Sequence, residues 1–219
     1  MGGLSINAVV FDADGTLFDT EHAMEAVWFS VCEEIGFSKP AEDYLEFIGL
    51  NRAALLSLMA EKYGSEFDAD GFMTRCAEGL HRHIETCGLP LKPGTCELLE
   101  FLHKKGIPMA LATSTHRIRT DRRLELSGLA KYFQITVTGN EVSQGKPHPE
   151  IYLTACEKLG FSPSACLAVE DSRNGILSAY TAGLSVVMIP DMIPPTPDLE
   201  EKLLCRFSSL TEVISLFSE

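Results

Sequence analysis

The apolar positions of this chain follow two rhythms. Short unbroken apolar runs that stop at polar residues predict buried strands at Ala8–Phe11, Pro108–Ala112, Gln134–Val137, Cys166–Val169 and Ser185–Ile189. Apolar residues at helical spacing predict helices over Glu97–Lys105, Arg117–Ser127, Glu150–Leu159 and Arg173–Ala182. Strand and helix alternate with short connections, the pattern of an α/β fold with a parallel sheet covered by helices on both faces. One block breaks the alternation. Thr20 to Phe37, Asn51 to Tyr63 and Phe72 to Ile84 are all helical in pattern, and no convincing strand lies among them. The turn-rich segment Leu89-Pro90-Leu91-Lys92-Pro93-Gly94 then restarts the α/β rhythm. The expected organisation is therefore a core from residues 1–18 and 89–219 with an inserted all-helical domain at 19–88. The Pro-rich stretch from Ile193 to Pro197 reads as a surface loop before a last helix.

Composition narrows the function classes. The chain has 219 residues, 45% of them hydrophobic and 22% charged, which suits a packed core and argues against wholesale disorder. With 18 Lys plus Arg against 31 Asp plus Glu, the formal net charge is −13. An acidic chain lacks the electrostatic footprint of a nucleic-acid binder and the basic apolar face of a membrane-surface helix. No apolar run is long enough to span a bilayer, and the N-terminus shows no secretory pattern. Seven scattered cysteines without a CxxC pair fit reduced thiols and a cytoplasmic location rather than a disulfide framework or zinc site.

The chemistry gathers at strand ends. In open parallel sheets, ligands bind outside the carboxyl ends of the strands. The first strand runs into Asp12-Ala13-Asp14-Gly15-Thr16, and a later one ends at Glu170-Asp171. Either piece alone can be an ordinary turn or helix cap. Carboxylates two positions apart repel one another unless a cation or proton lies between them. Two acidic strand ends in one sheet make a hard, oxygen-rich site suited to Mg²⁺, which in turn calls for an anionic substrate such as a phosphate. Thr113-Ser114 ends another strand with hydroxyls that can hydrogen-bond a phosphoryl oxygen. Lys146, between Gly145 and Pro147, offers a positive charge in a rigid turn.

The order of these pieces, DxDGT after the first strand, then apolar-Thr, then Gly-Lys-Pro, then Glu-Asp, resembles the haloacid dehalogenase superfamily, most of whose members are phosphatases. The resemblance covers the whole chain, and its most specific part is Val9-Val10-Phe11-Asp12-Ala13-Asp14-Gly15-Thr16-Leu17. It implies a Rossmann-like core with a helical cap, in the subgroup that includes small phosphatases and β-phosphoglucomutase. By that resemblance, Asp12 is the nucleophile and gives an aspartyl-phosphate. Asp14 protonates the leaving oxygen and then takes a proton from the hydrolytic water. Thr113 and Lys146 hold the transferring oxygens. Mg²⁺ is bound by Asp12 and Asp171, with the backbone of Asp14 facing it and Glu170 in its first or second shell. Backbone N–H groups near Ala13, Asp14 and Ser114 complete the phosphate cradle, and Gly15 lets the backbone approach the anion.

The same resemblance makes Phe47-Ile48-Gly49-Leu50-Asn51-Arg52 a specificity loop, with Arg52 available to the remote part of the substrate. His116 and Arg117 are candidates for the same task. One departure bears on the reaction. In the mutase pattern a His follows the Asp-Thr pair by four positions, whereas Met24 stands there in this chain and His22 lies two residues earlier. That favours hydrolysis of a small phosphorylated metabolite, a sugar phosphate or similar, over phosphosugar mutation. Gly139 to Lys146 is not a P-loop, because it is one residue too long and Pro147 replaces the metal-binding Ser or Thr. His81 and His83 lie two apart and so face different sides of a helix, and Trp28 reads as helix packing. A receiver-type signalling module has no place for the helical insertion. Nothing in the sequence signals an interface, so a monomer or weak homo-oligomer is expected.

Overall fold

A computed structural model describes residues 6–37, 43–48, 50 and 52–217. The chain divides into two compact units. One takes in the chain up to Asp19 and from Pro90 onward, and the other is Thr20–Leu89.

The first unit is built on a six-stranded sheet in the order β3-β2-β1-β4-β5-β6, parallel throughout. The strands are β1 (Ala8–Phe11), β2 (Met109–Thr113), β3 (Ile135–Thr138), β4 (Cys166–Glu170), β5 (Ser185–Met188) and β6 (Cys205–Arg206). Parallel strands covered on both faces should be apolar throughout, and β1, β2 and β4 are buried at every position. Alternation divides their side chains between the faces. Val10, Ala110, Ala112, Val137, Ala168 and Val186 pack with Ile151, Ala155, Ile176 and Ala179 of two helices, Glu150–Leu159 and Arg173–Ala182. Val9, Phe11, Leu111, Leu167 and Val187 point the other way and are equally inaccessible to solvent. On that side Phe11 meets Phe133 edge-on at 6.2 Å.

The regular structure of the second unit, among its described residues, is all helical: α1 (Thr20–Glu34), α2 (Tyr44–Phe47), α3 (Arg52–Tyr63) and α4 (Ala69–Cys87). Its centre is aromatic. Trp28 packs against Tyr44 at 5.2 Å, Phe47 at 5.4 Å and Phe72 at 4.7 Å. The helix α4 is longer than the expected 72–84 at both ends; it starts at Ala69 because Asp68 caps it by accepting from the Gly71 N–H at 2.9 Å.

Four further helices of the first unit are α5 (Thr95–Lys104), α6 (Arg117–Ser127), α7 (Glu150–Leu159) and α8 (Arg173–Ala182), followed by the single turn α9 (Pro197–Glu200). The chain closes through a 3₁₀ stretch, Leu210–Phe217. No helix among the described residues is long and apolar enough to cross a membrane.

Candidate active site

The sheet order places the ends of β2, β1 and β4 side by side. Phe11 pairs with Leu111 on one side and Val169 on the other, so Asp12 emerges level with the ends of both neighbours. The Asp12 N–H donates to the Val169 carbonyl at 3.0 Å, carrying the sheet pattern one residue into the loop. Asp12, Thr113 and Glu170 are buried at that edge.

The loop after Asp12 turns back at once. The amides of Leu17 and Phe18 both donate to the Ala13 carbonyl at 2.9 Å, and that of Gly15 donates to Phe18 at 2.9 Å. Gly15 is required here twice over. Its φ is +82°, and a Cβ at this position would overlap the Asp171 carboxylate. Thr16, fully buried, donates to Asp171 Oδ1 at 2.8 Å and so ties the first loop to the end of β4.

Lys146 lies in the loop ahead of α7. Its Nζ sits between Asp12 Oδ1 at 2.5 Å and Glu170 Oε1 at 2.6 Å. The Tyr152 hydroxyl donates to the same Glu170 oxygen at 2.8 Å, and its ring lies 5.0 Å from Nζ. Glu170 Oε2 accepts from the amides of Asp171 and Ser172, at 3.0 and 3.1 Å, and from Ser172 Oγ at 3.1 Å. A fully buried carboxylate is tolerable only when its lone pairs are satisfied in this way. The cradle extends into α8, where a Cβ on Gly175 would overlap the Glu170 carboxylate.

Charge at this edge is unbalanced. Burial pushes the Asp12 carboxyl well above its ordinary value, and although Lys146 opposes this, Glu170 and Asp14 add to it. Burial pulls Lys146 down, but Asp12 and Glu170 outweigh it and hold the ammonium above its ordinary value. Burial and Glu170 likewise raise the Tyr152 hydroxyl. Lys146 is one positive charge for a cluster in which oxygens of Asp12, Glu170 and Asp171 lie within 4.8 Å of one another. Such an all-oxygen, negatively charged donor set fits a hard divalent cation such as Mg²⁺.

Asp14 faces differently. Its Oδ2 accepts from Thr115 Oγ1 at 2.6 Å, and its Oδ1 is ion-paired with Arg123 of α6. Ser114 and His116 stand beside this edge with exposed side chains. Arg117 departs from the expectation of a substrate ligand. Its guanidinium is occupied by Asp121 of α6 at 3.2 Å, by Glu141 at 2.5 Å and by the Thr136 carbonyl at 2.7 Å, the last two tying α6 to β3 and the turn after it. Arg52, in the helical unit, is exposed and paired with Asp70 at 2.6 Å. Gly49 and Asn51 of the expected specificity loop lie outside the described residues.

Thr115, Arg123 and Tyr152 did not stand out in the sequence. Tyr152 falls on the apolar face of α7 and reads as core, and Arg123 is one arginine among several on a polar helix. Thr16 was visible only as part of its motif.

Comparison with known proteins decides the lineage. The model of the haloacid dehalogenase-like hydrolases matches residues 6–183. The chain belongs to this family. It is an enzyme of that hydrolase fold, and relatives within the family carry phosphatase names. The phosphorylated carbohydrates phosphatase of Thermotoga maritima is 35% identical over 179 residues, 82% of each chain. Hexitol phosphatase A of Escherichia coli K12 is 36% identical over 197 residues, 88% of this chain and 86% of that one. Among solved structures, a candidate β-phosphoglucomutase of Thermotoga maritima superposes with a TM-score of 0.79 at 31% identity, covering 97% of this chain and 98% of that one.

Proposed function

We propose that this haloacid dehalogenase-like hydrolase is a Mg²⁺-dependent phosphatase that hydrolyses a small phosphomonoester, a sugar phosphate or similar metabolite, through an aspartyl-phosphate on Asp12. The observation that carries the reading is the convergence of Asp12, Lys146, Glu170 and Asp171 at adjacent strand ends, with Thr113 on the neighbouring one. The phosphatase names of the two sequence relatives support the substrate class.

In the first step an Asp12 carboxylate oxygen forms a bond to phosphorus as the bond to the leaving oxygen breaks. Asp14 gives its proton to that oxygen, and the alcohol departs. In the second step water attacks phosphorus, Asp14 takes the water's proton, and the acyl phosphate bond to Asp12 breaks, releasing phosphate. Lys146 and Thr113 hold phosphoryl oxygens throughout, and Glu170 with Tyr152 holds Lys146. Mg²⁺, bound by Asp12 and Asp171 with Glu170 beside them, supplies charge that offsets the repulsion between Asp12 and a dianionic phosphate. The helical unit is assigned the selection of the leaving group.

The test is phosphate release from hexose and pentose phosphates, nucleotides, glycerol phosphate, phosphoglycolate and an aryl phosphate, with Mg²⁺ and with EDTA. Release should require the metal, and Asp12→Asn should reduce it by about 10⁴-fold or more, the scale at which removal of a nucleophile shows. No release from any substrate, with the protein folded and Mg²⁺ present, would sink the proposal. A second reading, a phosphosugar mutase, is favoured by the 31% identity to the Thermotoga candidate β-phosphoglucomutase. Its mark is conversion of β-glucose 1-phosphate with little phosphate release.

A further inference from the structure

The other arginines of α6 with a described ion pair bond within the helix or to the turn just after β3. Arg117 takes Asp121 at 3.2 Å and Glu141 at 2.5 Å, and Arg122 takes Glu125 at 3.0 Å. Arg123 instead reaches Asp14, 109 residues earlier in the chain. Its side chain is 12% exposed and that of Asp14 23%, so water screens this pair less than an ordinary surface pair.

The Asp14 carboxylate is gripped at both oxygens, one by Arg123 Nη1 and the other by Thr115 Oγ1. One anchor would leave the carboxylate free to turn about its last torsion, which is broad and poorly restrained by itself. Two anchors fix its direction as well as its place. The anchor is also joined to the phosphoryl-holding edge, since the Thr115 N–H donates to Thr113 Oγ1 at 3.1 Å.

We infer that Arg123, with Thr115, is a positioning residue for Asp14, fixing the aim of the carboxylate that serves the leaving oxygen. This rests on the reading of Asp14 as the proton donor in the first step. Arg123 acts through Asp14 and is assigned no contact with substrate.

The inference has a signature that a merely structural role lacks. The oxygen leaving a sugar or glycerol phosphate needs a proton as its bond to phosphorus breaks. The nitrophenolate leaving p-nitrophenyl phosphate does not. Misaiming Asp14 should therefore slow the alkyl ester far more than the aryl ester, whereas a general loss of structure slows both alike.

The experiment compares kcat/KM, which covers the steps through leaving-group departure, for p-nitrophenyl phosphate and for the alkyl phosphate that the native enzyme turns over fastest. A general acid contributes about 10²–10⁴-fold, and Asp14→Asn should lose that much on the alkyl ester while largely sparing the aryl one. Arg123→Gln should lose about tenfold or more on the alkyl ester and less than about threefold on the aryl one, a fraction of the same effect. Arg123→Lys, which keeps the cation, should recover part of the loss. Equal losses on both esters, or none, in Arg123→Gln while Asp14→Asn remains selective overturn the role of Arg123 alone. Equal losses in Asp14→Asn overturn the assignment of Asp14 and the inference with it. Should Arg123→Gln fail to fold by circular dichroism and thermal melting, Thr115→Val removes the other anchor and must show the same selectivity for the inference to stand.

Discussion

Gly175 shows how tightly single atoms are specified around the candidate site. It occupies the first turn of α8, and any side chain there would run into the Glu170 carboxylate, which accepts hydrogen bonds from Lys146, Tyr152, Ser172 and two amides. Gly175→Ala should therefore cost about 1–3 kcal/mol, the usual cost of overpacking, and should weaken catalysis by displacing Lys146. Gly145 offers a contrast, because a Cβ there meets nothing within 4 Å and its φ is not positive. Gly145→Ala should leave the urea midpoint nearly unchanged, and comparing the two midpoints checks the argument. At this scale the sequence was readable where chemistry is carried by adjacent residues. Asp12, Asp14 and Gly15 stand together in one motif, and Glu170 and Asp171 are neighbours. It was unreadable where a role depends on a partner far along the chain. Nothing local separates Arg123 from Arg122, and only the fold reveals that one of them meets Asp14.

Elements were legible in proportion to their burial. The strands β1, β2 and β4 are short apolar runs because both of their faces are covered, and their positions follow from the sequence to within a residue. The two-residue strand β6 and the four-residue helix α2 carry too few positions for any period to register. The ends of α4 beyond the expected 72–84 are polar turns, fixed at the start by the Asp68 cap and at the finish by the Gly88 N–H, which donates to the Ile84 carbonyl. A connection between elements also gives a pH prediction. Partial burial pushes the Glu141 carboxyl up, but the Arg117 guanidinium and the Thr138 amide outweigh it and hold it below its ordinary value of 4.5. A carboxyl depressed in the folded state adds stability that is fully present above the unfolded value and is lost as pH falls through the folded one. Glu141→Gln should thus be less stable than the native protein at neutral pH, by about 0.5–1 kcal/mol for so partly exposed a pair. The gap should close as the pH falls below 4.5, the ordinary value, and denaturant titrations at a series of pH values would measure it. A gap that stays constant or widens in acid would contradict this account of the α6–β3 link.

For the whole molecule, the excess negative charge at the sheet edge should couple folding to cation binding. Mg²⁺ at about 100 times its dissociation constant would stabilise the native state by about 2.7 kcal/mol. In a chain of this size that corresponds to a rise in Tm of about 5 to 10 °C. Asp171→Asn should remove most of the rise, and a native Tm indifferent to Mg²⁺ would count against the metal site. The division of the chain has a consequence of another kind. The Asp19 amide donates to the Pro90 carbonyl at 2.9 Å, so the last residue before the helical unit and the first after it are already clasped together by the sheet-bearing unit. Seen from the sheet, the segment Thr20–Leu89 amounts to a closed loop with no span to bridge. The entropy of closing such a loop grows only with the logarithm of its length. The strand ends that carry Asp12 and Asp171, and the loop that carries Lys146, are thus held in place whatever the length spliced in at this clasp. Lengthening or shortening the inserted segment should therefore cost the sheet-bearing unit little, because its two attachment points stay joined whatever lies between them.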